Sequence, residues 1–426
     1  MPDGKDRILC SLDLGSSKIV TLIVSIGQNN RINLIGAASV PSKGIKKGQI
    51  VDFEGVTQAI TESLDGAERM AGISISSAYV SIGGTHIAST NTHAVVAVAG
   101  KESDIDSKDL ARLNEIARAV SLSQKEILHA IPIAYSIDGQ EGIKNPLGMS
   151  GTRLEVETHI ITGATVAISN LVKCFNKVGV DIEEIVFSGI ASSKAVLTET
   201  EKELGVVLID IGYETTAMTV FFENALIYSS VIPIGARFVT NDIAVGLKVS
   251  LESAERIKHK LTDYKYEPTL NKDKKEDELE LKELGLSEET DKISVKYTRD
   301  TIMRARIREI LELVKKEIKK SGFGGIVPFG VVMCGGGALT AGIIEQSKPI
   351  LGFSARVGKV EGFSGLSEEI DSPAFATASG LILYGIEQSA NSSFKKTFGL
   401  NKNILGLIQT WLNKLVQSMV DIKGKF

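Results

Sequence analysis

Gly205-Val-Val-Leu-Ile-Asp210-Ile-Gly212-Tyr-Glu-Thr-Thr-Ala217 is the stretch that decides the fold. Its apolar, β-branched start reads as a buried strand. The run closes on Asp210, Gly212, Thr215 and Thr216. Near the beginning of the chain, Ile8 to Lys18 has the same form: a short apolar strand, then Asp13, Gly15, Ser16, Ser17 and Lys18. Glycine lets a backbone turn come close to phosphate oxygens. Successive N–H groups and Ser/Thr hydroxyls can then bind the anion. Each aspartate can hold a Mg²⁺ ion, which usually keeps several waters. One Asp-x-Gly is an ordinary turn. Two of them, each at the end of a strand, predict a duplicated phosphate clamp.

Bulk properties set the frame. At 426 residues the chain is too long for one core, so two or more domains are expected. With 43% hydrophobic and 23% charged residues it has a globular composition. The 48 basic and 52 acidic residues give a net charge of -4, which does not suggest a general nucleic-acid binder. Cys10, Cys174 and Cys334 are scattered in apolar stretches without metal spacing, so buried thiols in a reducing compartment are expected. Met1 to Arg7 is charged and has no apolar core of signal-peptide length. No apolar run reaches the roughly 18 residues of a membrane span. The expectation is a cytosolic protein, unless something attaches it to a surface.

In chain order, Ile8 to Ile26 and Arg31 to Val40 open the first domain as a hairpin series. Asp52 to Ala71 reads as a helix with Val56, Ile60 and Leu64 on one face, followed by a strand at Ala78 to Ile82. Residues 83–162 change texture. Thr85 to Ala99, Ile127 to Ile137 and Leu154 to Ile161 are strand-like, and Ser107 to Ala119 is helical with Ser107 as N-cap. They predict an inserted αβ module, of the kind that often forms a contact surface. A helix from Ile168 ends at Gly179. Glu184 to Ile190 is expected as a strand and Ala191 to Leu197 as the start of a helix. After the strand of residues 205–211, Ala217 to Glu223 and Ala225 to Val231 form a hairpin, and helices follow at Ile234 to Leu247 and Leu251 to Leu261. Asp263 to Asp300 is rich in mixed charge and reads as a solvated edge. Thr301 to Lys320 is amphipathic, with Ile307, Leu311, Val314 and Ile318 on its buried stripe. A strand then runs into Cys334-Gly335-Gly336-Gly337, where bare backbone can admit a flat ligand, and Ala374 to Gln388 is a helix.

The polar stretch Ser389 to Leu400 reads as a linker, spanning on the order of 20 Å as a coil. Beyond it, Ile404, Leu407, Ile408, Trp411, Leu412, Leu415, Val416, Met419 and Val420 recur at helical spacing on one face. The opposite face is polar, and Lys402, Lys423 and Lys425 flank the segment. An amphipathic helix that carries the chain's single tryptophan suits a bilayer surface. Docking on its own body or on a partner is the other reading.

These three loops, in this order, resemble those of the actin-like ATPase superfamily. Within it the chain is similar to the FtsA family of bacterial cell-division proteins, from Arg7 to the tail. His129 to Gly151, Ile232 to Leu247 and the terminal helix carry the more specific likeness. The resemblance implies an α/β actin-like fold, with two similar halves around a nucleotide cleft. The first half's inner subdomain would be 1–82, continued at 163–200 and about 350–388. The inserted subdomain would be 83–162. The second half would be 201–349, with an outer subdomain at about 238–305. It also implies ATP and Mg²⁺ as ligands. Asp13 and Asp210 would face Mg²⁺ through water, and Ser16, Ser17, Lys18, Thr215 and Thr216 would contact phosphates. Glu255 and Lys258 would meet ribose and adenine, and Gly335 to Gly337 would lie under the adenosine.

As partners, the resemblance implies further copies of the chain in filaments, the C-terminal peptide of the tubulin-like FtsZ, other division proteins at the inserted subdomain, and anionic lipid. Arg306 and Glu309 would form part of the peptide site. The implied location is the cytoplasmic face of the inner membrane at the division site. Tyr213 and Glu214 stand where the family pattern has glycines. A glutamate beside a triphosphate is repulsive unless it points away or meets the metal, and Tyr213 lacks glycine's freedom at positive φ. Phe187 to Ala191 offers no base to activate water, so hydrolysis is expected to be slow or absent. The alternatives are a pilus-assembly scaffold and a small-molecule kinase of the same fold.

Overall fold

The computed structural model describes residues 7–27, 31–99, 104–262, 277–286, 288, 291–325, 327–365 and 370–397. The expected tail helix, Asn401 to Phe426, lies outside the described residues.

The first half opens with an antiparallel meander of β1 (Arg7–Leu14), β2 (Lys18–Ile26) and β3 (Ile32–Pro41). A small hairpin follows, β4 (Ile45–Lys46) and β5 (Gln49–Ile50). Next comes α1 (Phe53–Ala71), whose N-cap Asp52 accepts the Gly55 N–H. Its buried face holds Val56, Ile60 and Leu64, as the periodicity predicts, and it ends at Gly72 with φ 70°. Strand β6 (Ser77–Ile82) then lies parallel to β1.

The inserted module comprises β7 (Ala88–Ala97), α2 (Ser107–Arg118), β8 (Lys125–Ile137), β9 (Gln140–Ile143) and β10 (Arg153–Ala164), with sheet order β7-β10-β8-β9. It has a core of its own, including Ala94, Leu113, Ala117, Leu154 and Val156. The cap of α2 is Asp106, not Ser107. The Asp106 carboxylate accepts the N–H groups of Lys108 and Asp109, and Asp109 closes a capping box. A charged acceptor one residue earlier satisfies two orphan donors at once.

The chain returns through α3 (Thr165–Val178), ended by Gly179 at φ 84°, and β11 (Asp181–Phe187), which is parallel to β6. Helix α4 (Ser188–Val196) starts three residues earlier than expected. Gly189 is poorly suited to a strand, and the Ser192 hydroxyl donates back to the Ser188 carbonyl. Helix α5 (Glu199–Leu204) was not anticipated, although Thr198 and Glu201 form a capping box.

The second half repeats the design. Strands β12 (Val206–Ile211), β13 (Thr216–Phe222) and β14 (Ala225–Ile232) form another antiparallel meander. Glu223 and Asn224 turn the hairpin with φ of 52° and 64°, the primed two-residue geometry. Helices α6 (Arg237–Leu247) and α7 (Leu251–Thr262) precede the small pair β15 (Glu278–Glu280) and β16 (Lys292–Ser294) and the single turn α8 (Val295–Tyr297). Here the expected solvated edge needs correction. Among the described residues, Leu279, Leu281, Leu286, Ile293 and Val295 are buried in the second half's core. The charges outnumber these residues in sequence, but the period of two puts the apolar ones on one face.

Helix α9 (Arg304–Ser321) buries Ile307, Leu311, Val314 and Ile318. Strand β17 (Val331–Cys334), α10 (Ile343–Leu351), β18 (Ala355–Val357), β19 (Phe363–Gly365) and α11 (Ala376–Thr397) complete the described chain. Residues 389–397 are therefore helical and not a coil linker. The stretch has no proline or glycine, and the Ser389 hydroxyl bonds the Gly385 carbonyl at 2.7 Å.

The two large sheets run β3-β2-β1-β6-β11, with β19 added beside β3, and β14-β13-β12-β17-β18. In both, a three-strand meander is extended by two parallel strands. The register matches as well. Asp13 pairs with Val20 in one sheet, and Asp210 pairs with Ala217 in the other.

Candidate nucleotide site

The matched register makes the two Asp-x-Gly loops physical copies. Gly15 N–H donates to the Lys18 carbonyl at 3.0 Å, and Gly212 N–H donates to the Thr215 carbonyl at 2.9 Å. A Cβ at Gly15 would lie 2.8 Å from the Lys18 oxygen, and one at Gly212 would lie 2.9 Å from the Thr215 oxygen. Space, not positive φ, is what demands glycine here. The loops face one cavity of about 350 Å³, lined by Asp13 to Lys18, Gly212 to Thr215, Glu255, Lys258 and Gly335 to Gly337.

The triple glycine closes a third side. Gly335 has φ 78°, and a Cβ there would fall 2.4 Å from Asp210 Oδ1. A Cβ at Gly337 would fall 2.3 Å from the Ile211 side chain. A Cβ at Gly336 would meet only Ala374, at 4.0 Å. Two of the glycines let β17 seat against β12, and the third leaves backbone open to a ligand.

Asp13 and Asp210 stand at the strand ends. Asp13 accepts the Ser81 hydroxyl at 2.7 Å, and Asp210 accepts Thr377 Oγ1 at 3.2 Å. Burial raises both carboxyls above the usual range. Ser81 and Lys18 oppose the rise at Asp13, while the Asp13 charge adds to it at Asp210 and brings that group to about 6. Two hard carboxylates set facing a cavity suit Mg²⁺. Among the described residues no cluster of three metal-ligating side chains is present, so an ion here would keep most of its waters. Lys18 Nζ lies 3.6 Å from the centre of the Phe375 ring.

On another wall, Lys258 Nζ meets both Glu255 oxygens and Thr240 Oγ1, each at 2.8 Å. Burial would raise the Glu255 carboxyl, but hydrogen bonds from His259, Lys258 and Thr240 and the Lys258 charge hold it at about 2. Glu255 is thus a fixed carboxylate suited to accept hydrogen bonds from hydroxyl groups.

Three expectations change. Thr216 does not line the cavity. It occupies the register position of Ile19, is fully buried, and donates to the Ile234 carbonyl at 2.7 Å. Tyr213 is not among the residues with positive φ, so the loop does not need glycine there. Glu214 borders the cavity, but its carboxylate is taken up by an ion pair with Arg237 and a hydrogen bond from the Lys47 N–H. Ser188, from the segment Phe187 to Ala191, lines the cavity too, and Gly48, Ser81, Gly83, His259, Leu339 and Thr377 line it beyond what the sequence predicts. The one usable signal was Ser81, a hydroxyl inside the apolar strand Ala78 to Ile82.

The sequence is similar to known proteins over most of its length. A family model described as "SHS2 domain inserted in FTSA" covers residues 84–162, and one described as "Cell division protein FtsA" covers residues 207–380. The FtsA of Pseudomonas aeruginosa is 35% identical over 90% of this chain and 91% of its own length. That of Borreliella burgdorferi is 36% identical over 92% and 94%. The chain belongs to the FtsA family of cell-division proteins.

Solved structures place the FtsA-family chain in the actin-like fold. The PilM–PilN type IV pilus biogenesis complex aligns with a TM-score of 0.63 at 16% identity, covering 89% of this chain and 98% of that one. MreB5 of Spiroplasma citri bound to ADP aligns with a TM-score of 0.53 at 16% identity, covering 91% and 98%. The SHS2 match coincides with the inserted module. Arg306, at the start of α9, is held by both oxygens of Asp242 at 2.7 and 2.9 Å and also meets the exposed Glu309. This pair lies outside the cavity lining. Ile404, Leu407, Ile408, Trp411, Leu412, Leu415, Val416 and Met419 lie outside the described residues. Among the described residues no helix is long and apolar enough to cross a membrane.

Proposed function

We propose that this FtsA-family chain binds ATP with Mg²⁺ in the cleft, self-associates, and tethers FtsZ to the cytoplasmic face of the inner membrane. The observation that carries the reading is the pair of matched loops closing on one cavity beside Gly336. Backbone N–H groups and the hydroxyls of Ser16, Ser17 and Thr215 would hold phosphates, with Lys18 supplying charge. Asp13 and Asp210 would carry Mg²⁺, whose chemistry is to neutralise phosphate charge. Glu255 and Lys258 would meet the ribose and base.

Of Phe187 to Ala191, Ser188 lines the cavity. A serine is a poor base for activating water, which supports slow hydrolysis or none. In this reading the inner subdomains carry the nucleotide, the inserted one takes division partners, and Arg306 and Glu309 belong to the FtsZ peptide site. Ile404 to Met419 would lie in the lipid interface.

Sedimentation with anionic vesicles tests the tether. Full-length protein should pellet with them and bring an FtsZ C-terminal peptide along, and deletion of residues 401–426 should leave both in the supernatant. Equal pelleting without those residues rejects the tail as the anchor.

A further inference from the structure

Glu214 stands in the second loop where the first loop has Ser17, by the shared register. It is 5% exposed, yet it borders the cavity. Both oxygens are engaged. Oε1 pairs with the Arg237 guanidinium, and Oε2 accepts the Lys47 backbone N–H at 2.5 Å. Arg237 begins α6 in the second half, whereas Lys47 sits at the tip of the β4–β5 hairpin in the first. One carboxylate therefore spans the cleft.

The hairpin tip is tightly seated. Lys47 has φ 50° and Gly48 has φ 76°. The Thr85 N–H donates to the Lys47 carbonyl at 3.2 Å. A Cβ at Gly48 would lie 2.0 Å from the Gly83 oxygen, and one at Gly84 would lie 2.5 Å from the Lys47 oxygen. Gly48 and Gly83 both line the cavity next to Glu214, and the chain passes from Gly84 into the inserted module. A buried carboxylate with a charged partner and a backbone donor holds its place firmly.

We propose that Glu214 is a positioning residue for nucleotide: its carboxylate clasps the Ile45–Ile50 hairpin across the cleft, forming the Gly48–Gly83 wall of the phosphate pocket and fixing the Gly83–Thr85 segment by which the chain enters the inserted module. The pocket half of this proposal rests on the nucleotide reading above, and the clasp itself does not.

Hydrogen–deuterium exchange on the nucleotide-free full-length chain tests the clasp directly. In E214G the Lys47 and Thr85 amides should exchange about tenfold faster or more, with Val206 to Ile211 unchanged. E214Q, which keeps an acceptor and loses the charge, should show about threefold. If E214G loses protection throughout, E214Q decides. Lys47 exchange identical to wild type in the folded variant overturns the clasp. A second arm follows release of a fluorescent ATP analogue, which should be about tenfold faster from E214G. Wild type that does not bind the analogue sinks the nucleotide reading and leaves the exchange result to decide the clasp. Equal release from E214G and wild type overturns the positioning role.

Discussion

Asp210 carries opposed demands. Burial and the Asp13 charge raise its carboxyl to about 6, above its ordinary value. The unfolded chain therefore loses that proton first as pH rises. The stability linked to the protonated form is complete below the ordinary value and is lost as pH rises through about 6. Asp210→Asn should thus stabilise the nucleotide-free protein at pH 7.5 by about 3 kcal/mol in urea titration. No gain, or a loss, would contradict the burial argument. Gly336 and Gly337 separate fold from ligand in the same way. Gly337→Ala meets the Ile211 side chain and backbone and should cost about 1–3 kcal/mol by overpacking. Gly336→Ala should stay within about 0.5 kcal/mol of wild type while weakening nucleotide binding about tenfold. Equal melting of the two variants would remove the distinction. At this scale Asp13, Gly15, Asp210 and Gly212 were legible, because a strand ending in Asp-x-Gly is local information. The partners of Glu214 were not, because Lys47 lies 167 positions away in the chain.

Among the elements, β8 and β11 are joined by a buried imidazole. His129 Nε2 accepts the Phe187 N–H at 3.0 Å, so the ring is neutral, and burial lowers its pKa to about 4. The sign is opposite to that of Asp210. A depressed group gives stability that is present above its unfolded value and lost as pH falls through the folded one. His129 should contribute an acid-side loss of about 3 kcal/mol between pH 6.5 and 4. His129→Gln keeps an acceptor for Phe187 and does not titrate, so its stability curve should be flatter by that amount. Parallel curves would show that the ring does not couple to folding. Helices and strands with strong periods, such as α1 and α9, were readable because burial writes the period into the sequence. Helix α5 was missed despite the Thr198–Glu201 capping box, because its six residues are too few to show a period. The continuation of α11 past Ser389 is hidden in the sequence because its residues are polar, a composition that coil shares.

Over the whole molecule, duplication explains what the sequence revealed. The two meanders share one topology and one register, so the pair of loops could be recognised before any contact was known. The seating of the inserted module could not. Its Ser89 hydroxyl donates to the Ser229 carbonyl at 2.5 Å, and His159 shares the Ser229 hydroxyl at 2.9 Å. The module is inserted in the first half yet is fastened to β14 of the second, and nothing in its own residues names that partner. The central claim is that the matched loops grip one nucleotide per chain. Isothermal titration of the full-length protein with ATP and Mg²⁺, beside Asp210→Asn, addresses it most directly. One site per chain in wild type and at least about a tenfold loss in the folded variant is the predicted result; no binding by wild type, or equal binding by both, would contradict it.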